Sequence, residues 1–303
     1  MTEKIINRID IIGLGALGTM YADFFSKSIG RENVRVLADR ERTDKYKREG
    51  VTFNGRKCDL NFCTAEEETV QSQLLVFAVK YGNLQDAIRE NAHLVGPDTV
   101  VLSVLNGIVS EDDLGQAFGY DKVIYCTAQK MAAGKNGNAA ECDFMGEWAL
   151  GVREKTDVRL ANLKAVTDFL DRAGFPYVLP EDIMRGMWEK LMCNVGVNQT
   201  VTLFEGTYAA VQAEGRAREM MKEAMRETVK VANAEGVGLS ENDVIKWTQV
   251  IDGLNSEGEP SMRQDAKAGR KTEKALFSGT VCALGDKHGI DTPVNDLFFE
   301  KIN

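Results

Sequence analysis

Lys190, Asn194 and Asn198 recur at i, i+4 and i+8 in a stretch that carries no charge from Leu191 to Phe204. On a helix this spacing drifts only about 40° per step, so the three side chains line one stripe. A helix so free of charge is expected to be buried, and a buried amide must find hydrogen-bond partners or lose ~1–3 kcal/mol. Two amides and a lysine on that stripe therefore point to a polar ligand site. The bland alternative is that the asparagines satisfy nearby backbone groups while Lys190 snorkels from the helix start. Lys80 follows the apolar run L-L-V-F-A-V, and Asn106-Gly107 follows V-V-L-S-V-L. Both sit at the carboxyl ends of expected strands, where a nucleotide runs in an open α/β sheet, with an exposed strand end and a turn asparagine as the alternatives. Ser261 and Glu273 lie in P-S-M-R-Q-D-A-K-A-G-R-K-T-E. Each has a structural reading: Ser261 as a helix N-cap with Gln264 completing a capping box, and Glu273 as a first-turn residue after Thr272.

Close to the start of the chain, Ile9 to Gly18 read I-D-I-I-G-L-G-A-L-G. Gly13, Leu14, Gly15, Ala16, Leu17 and Gly18 have the spacing that cradles the pyrophosphate of a dinucleotide. The first glycine makes the tight turn, the second lets backbone N–H groups approach the phosphates, and the third lets the following helix pack against the strand. The helix N-terminus supplies the anion site. A second strand, Val34 to Leu37, leads to Asp39, 21 residues beyond Gly18, about where a ribose-binding carboxylate belongs. Asp39 argues for the ribose hydroxyl of NAD, whereas Arg40 and Arg42 beside it suit the 2′-phosphate of NADP.

The elements that must position these residues follow from the apolar pattern. Ile9–Ile12, Val34–Leu37, Leu74–Val79, Val100–Leu105 and Val123–Thr127 are short apolar runs separated by amphipathic segments, as in a parallel sheet buried on both faces. Hairpin-like pieces follow around Gly134–Gly137, Gly146 and Gly151, then a helix near Val158 to Ala173 and a last strand around Tyr177–Leu179. Beyond Pro180 the pattern is helical: Arg185 to about Phe204, Tyr208 to Ala234, Glu241 to about Leu254, and a broken stretch from Ser261 to His288. The fold class is α/β, with an N-terminal Rossmann-type doubly wound parallel sheet (residues 1–180) and a smaller all-helical C-terminal domain (residues 181–303). A ligand is expected in the cleft between the two.

The 303 residues suit two domains, and a net charge of −9 with no basic stripe argues against a nucleic-acid partner. No apolar stretch approaches the ~20 residues that span a membrane, and Met1 to Arg8 lead straight into the first strand, so a cytoplasmic location is expected. Six cysteines form no C-x-x-C pair and read as reduced residues; His93 and His288 stand apart from other ligand types, so no metal site is expected.

Taken together and in order, G-L-G-A-L-G at 13–18, V-K at 79–80, N-G at 106–107, W-E-K-x-x-x-N-x-x-x-N at 188–198, S-M-x-Q-D at 261–265, T-E at 272–273 and H-G-I-D-T-P at 288–293 resemble the ketopantoate reductases (2-dehydropantoate 2-reductases). The resemblance implies that Lys190 is the general acid for the ketone and that Glu273 is catalytic, holding the substrate hydroxyl and touching the cofactor. It implies that Ser261 meets the substrate carboxylate, and that Asn106, Asn194, Asn198 and Lys80 line the cofactor and substrate cleft. NADPH is the implied cofactor, with NAD as the alternative, a small 2-oxo acid the implied substrate, and a homodimer is compatible with the family. The activity expected is reduction of ketopantoate to pantoate, a step toward pantothenate and coenzyme A. Two alternatives stay open: a reductase of another small 2-oxo acid, and a non-catalytic dinucleotide-binding sensor. The chain departs from the family pattern at Gly258-Glu259-Pro260, before Ser261, at Gln199 where a proline is common, and at Leu203–Ala210, which lacks a further asparagine.

Overall fold

The structure, a computed structural model, describes residues 4–131 and 133–303; the opening of the Met1–Arg8 lead-in lies outside them. The chain divides into two units. One comprises the residues up to Asn106 together with Ser110–Ile183, the other Gly107–Val109 together with Met184–Asn303.

In the first unit the β-branched and apolar runs become strands: β1 (Ile9–Ile12), β2 (Val34–Leu37), β3 (Thr52–Phe53), β4 (Arg56–Lys57), β5 (Phe62–Cys63), β6 (Leu74–Phe77), β7 (Val100–Ser103), β8 (Val123–Gln129), β9 (Ala133–Asn136), β10 (Ala139–Cys142), β11 (Glu147–Gly151) and β12 (Tyr177–Val178). An eight-stranded sheet has the order β12-β11-β8-β7-β6-β1-β2-β5. Every pair from β5 to β8 is parallel, while β11 runs antiparallel to β8. Helices α1 (Ala16–Ile29), α2 (Arg40–Glu49), α3 (Leu84–Asn91), α4 (Ser110–Phe118) and α5 (Asp157–Ala173) are the crossovers and covers. The Rossmann-type reading of this half holds. The sequence had signalled the β9–β10 hairpin but not its partners: β3 and β4 join it in a separate four-stranded sheet, β4-β3-β10-β9.

Strand β1 is buried along its whole length, Asp10 included. Asp10 is tolerable there because the Arg35 guanidinium on neighbouring β2 grips it through two nitrogens, with Nε 2.7 Å from Oδ1. Helix α1 is fixed to the sheet by aromatic contacts: Tyr21 meets Trp148 edge-on at 5.1 Å, and Trp148 meets Phe175 at 4.7 Å. That packing sets where the α1 N-terminus points.

The second unit takes in the long α6 (Ile183–Leu203), then α7 (Ala209–Gln212), α8 (Arg216–Ala234), α9 (Glu241–Asp252), α10 (Ser261–Lys267), α11 (Ser278–His288) and α12 (Pro293–Lys301). The single helix expected from Tyr208 to Ala234 is two helices. Helix α7 stops at Gln212, where Ala213 turns extended, and Gly215, with φ at +147°, takes a backbone conformation that no L side chain adopts readily and starts α8. Helix α6 packs closely on α8: a Cβ at Gly196 would lie 2.7 Å from Met225 and 3.0 Å from the Met221 carbonyl. None of the described helices is long and apolar enough to cross a membrane.

Candidate active site

The β1–α1 turn has the features that a pyrophosphate requires. Gly13 adopts φ +92°, and a Cβ there would come within 2.7 Å of Val79 and 2.9 Å of the Ala78 carbonyl. A Cβ on Gly18 would sit 2.1 Å from the Gly13 carbonyl, so this glycine allows α1 to lie against its own turn. Gly15 differs: an added Cβ would meet only the Ala78 carbonyl at 3.7 Å, leaving open space above it. Gly15 is also the N-cap of α1, and no side chain caps the helix. The first-turn N–H groups are thus left for an anion. The cradle fits a dinucleotide.

Strands β6 and β7 lie side by side in register, Phe77 opposite Ser103, and Lys80 and Asn106 each follow three residues beyond their strand. They leave the sheet at the same carboxyl edge as the glycine turn, since β6 also pairs with β1. Lys80 is exposed and Asn106 half-buried. Asp39 is the N-cap of α2: its Oδ1 accepts the Arg42 backbone N–H at 2.7 Å, and its Oδ2 lies 3.4 Å from the Arg42 guanidinium. Arg40 is paired with Glu67 at 2.8 Å and more distantly with Glu66, an attraction that holds the Glu67 carboxyl below its ordinary range.

In the second unit, α6 carries the Lys190, Asn194, Asn198 stripe. Lys190 and Asn194 are half-buried, and Asn198 is 8% exposed. Among the described residues neither asparagine side chain has a hydrogen-bond partner; the Thr202 hydroxyl donates to the Asn198 backbone carbonyl. Burial pushes the Cys193 thiol up to about 12, and Lys190 opposes that shift, which places its charge close by. Glu189, between Trp188 and Lys190, serves the fold: its carboxylate accepts from Lys246 and Trp247 and meets Arg185, tying α6 to α9. Gln199 donates to the Val195 carbonyl and accepts the Ser278 N–H, so it holds the start of α11 on α6.

Ser261 is the exposed first residue of α10, not its cap: Pro260 is the N-cap, and Gln264 turns back to the Glu259 carbonyl instead of forming a capping box. Proline has fixed the extended backbone that a cap needs, which moves Ser261 one position inward. Glu273 is likewise not in the first turn of a helix. It lies in the turn before α11, its carbonyl accepting from Leu276 and Phe277. That turn is anchored by Thr272 and Lys274, which donate to the carbonyls of Asn303 and Ile302. Gly107 packs on the same segment, since a Cβ there would lie 2.8 Å from Leu276.

One residue that sequence reading missed is Lys135. From β9 it donates to the Leu14 carbonyl inside the glycine turn, and its ammonium stands 5.6 Å over the Tyr46 ring of α2.

A glycine cradle on a parallel sheet marks a dinucleotide-binding protein, and the family that the chain matches makes it an NAD(P)-dependent oxidoreductase acting on a CH–OH group. The model described as "Ketopantoate reductase PanE/ApbA" matches residues 9–154, and the one described as "Ketopantoate reductase PanE/ApbA C terminal" matches residues 182–303. The chain belongs to the ketopantoate reductase family. It is 26% identical over 299 residues to the 2-dehydropantoate 2-reductase of Streptococcus pyogenes, covering 97% of this chain and 96% of that one. The corresponding figures for the Aquifex aeolicus enzyme are 24% over 301 residues, 96% and 94%. Among solved structures, a ternary complex of D-mandelate dehydrogenase with NADH and anilino(oxo)acetate superposes with a TM-score of 0.87 at 23% identity, over 97% of each chain. A 2-dehydropantoate 2-reductase from Geobacter metallireducens gives 0.85 at 24% identity, over 97% of this chain and 98% of that one.

Proposed function

We propose that this protein reduces ketopantoate, a small branched 2-oxo acid, to its 2-hydroxy acid with NADPH. The observation that carries this reading is the α6 stripe. Two amides with no side-chain partner among the described residues, Asn198 at 8% exposure and Asn194 half-buried, lie on one stripe with a lysine, so their donors and acceptors are open to a polar ligand. The reduced nicotinamide, when bound, supplies the hydride for the oxo carbon. Lys190 delivers the proton from Nζ to the ketone oxygen as negative charge develops there, and its charge holds the anionic substrate. Asn194 and Asn198 orient the polar end of the oxo acid, and Glu273 accepts the hydroxyl that distinguishes ketopantoate from simpler oxo acids. Ser261 meets the carboxylate. The glycine cradle holds the pyrophosphate, with Lys80 and Asn106 along the same sheet edge. NADPH is favoured over NADH because the Asp39 carboxylate, the usual reader of a ribose diol, is engaged by the α2 N-terminus and Arg42.

A second reading is a reductase of an aromatic or otherwise unhydroxylated 2-oxo acid. The likeness in fold to D-mandelate dehydrogenase favours it. Comparing kcat/KM for ketopantoate, its analogue without the hydroxyl, and the aromatic oxo acid corresponding to mandelate decides between them. Ketopantoate should lead. Glu273→Gln should penalise ketopantoate far more than the analogue, because a site built to bond a hydroxyl loses its advantage when the acceptor weakens. Ser261→Ala should penalise both alike, since both carry the carboxylate. An equal loss on both substrates in Glu273→Gln would remove the hydroxyl anchor and leave the second reading.

A further inference from the structure

Around the ribose end of the glycine turn the first unit gathers four cations, of which two are paired. Arg40 is committed to Glu67 and Glu66, and Arg42 lies by Asp39. Lys135 and Lys45 are different: among the described residues neither has a carboxylate partner within ion-pair distance. Lys135 arrives from β9, a strand of the small second sheet, and bridges two elements that flank an adenosine ribose in this fold, the glycine turn through the Leu14 carbonyl and α2 through Tyr46. Its strand is held in that place from outside the turn. Asn138, in the β9–β10 connection, donates to the Glu49 carboxylate and the Gly50 carbonyl at the end of α2, while its own carbonyl accepts the Thr52 N–H. Burial lowers the Lys135 pKa from its ordinary value, and the charges of Lys45 and Arg42 lower it further. Lys45 and Arg42 therefore repel Lys135. An ammonium has three donors, and Leu14 takes one. A dianionic phosphate placed there would use the remaining donors and relieve the repulsion.

We propose that Lys135, supported by Arg42 and Lys45, is the cation that reads the 2′-phosphate of NADPH, so that cofactor choice is made from the small second sheet as well as from the end of β2. The proposal rests on the NADPH reading above, and the experiment separates the two. The probes are 2′,5′-ADP and 5′-AMP, which share the adenosine and 5′-phosphate and differ only in the 2′-phosphate. Their affinities for the full-length protein are measured by titration calorimetry. Wild-type protein should bind 2′,5′-ADP the more tightly. Lys135→Gln should cut that preference about tenfold, the loss of one charge-assisted contact, while leaving 5′-AMP affinity unchanged; Lys135→Arg should keep most of the preference. Unfolding temperatures of the variants verify that both are folded. If Lys135→Gln weakens both probes equally, or neither, the role assigned to Lys135 is overturned while the NADPH reading stands. If wild-type protein does not distinguish the two probes, the NADPH reading falls and this inference with it.

Discussion

At the scale of single residues, the proposed chemistry rests on the lysine and amide stripe of α6. Lys190→Ala should depress turnover by the ~10²–10⁴ of a lost general acid, with dinucleotide affinity nearly intact because the glycine cradle belongs to the other unit. Steady-state rates alongside NADPH titration by fluorescence check both halves; a variant keeping more than about half of its turnover would take Lys190 out of proton transfer. Asn198 gives a test of opposite sign. It is 8% exposed and unpartnered among the described residues, so Asn198→Leu should raise the unfolding free energy by about 1 kcal/mol while lowering kcat/KM at least about tenfold. A variant that melts earlier and turns over normally would make the amide a structural group. The spacing of these residues was legible in the sequence, because helical periodicity alone puts i, i+4 and i+8 on one stripe. Whether the amides were already satisfied was not legible, since their potential partners lie on other elements.

Among the elements, the glycine turn separates two kinds of requirement that the sequence writes with the same letter. Gly18→Ala should damage folding: its Cβ would fall 2.1 Å from the Gly13 carbonyl, and α1, pinned by Tyr21 against Trp148, has little room to retreat. Gly15→Ala meets nothing closer than 3.7 Å, so its unfolding temperature should stay near wild type while dinucleotide affinity falls, because the methyl group occupies the space above the turn. Thermal melts with NADPH titration on the two variants check the contrast; equal losses of stability would contradict it. The strand runs predicted β1, β2, β6, β7 and β8 of the main sheet, since each has at least three apolar residues in four, but not the two-residue β5 at its edge. The second sheet escaped notice because β3 and β4 are two residues each and form only by pairing with a hairpin far along the chain. Ser261 shows the reverse error. Its capping-box pattern was present, yet Pro260 before it took the cap position.

For the whole molecule, stability should depend on pH through Glu111 at the start of α4. Burial raises its carboxyl to about 8, against the Ser110 hydroxyl that donates to Oε2, while Oε1 has no hydrogen-bond partner among the described residues. In the unfolded chain the same group ionises near pH 4.3. A group whose folded pKa is raised gives its full contribution below the unfolded value and loses it as pH rises through the folded value. The protein should therefore lose stability between about pH 4.3 and the region of pH 8 through this residue. Glu111→Gln, which keeps an acceptor for Ser110 without a titrating proton, should flatten that slope. Urea midpoints at pH 5 and pH 8 for both proteins test it; an unchanged slope in the variant would assign the dependence to other groups.

The sequence by itself determined the parallel α/β half, the helical half, the glycine turn and the polar stripe. Each is written in the spacing of neighbouring residues: glycines at fixed offsets, apolar runs, and polar positions one helical turn apart. The tertiary structure alone decided which polar groups are spent and which are open. It committed Asp39 to capping α2, Arg40 to Glu67 and Glu189 to α9, and among the described residues it left Asn194 and Asn198 without side-chain partners. It also carried Lys135 across 121 residues of chain to the Leu14 carbonyl. Hydrogen bonds and ion pairs are short-range and saturable, so their outcome depends on which distant segments the fold brings within reach, and no local pattern records it.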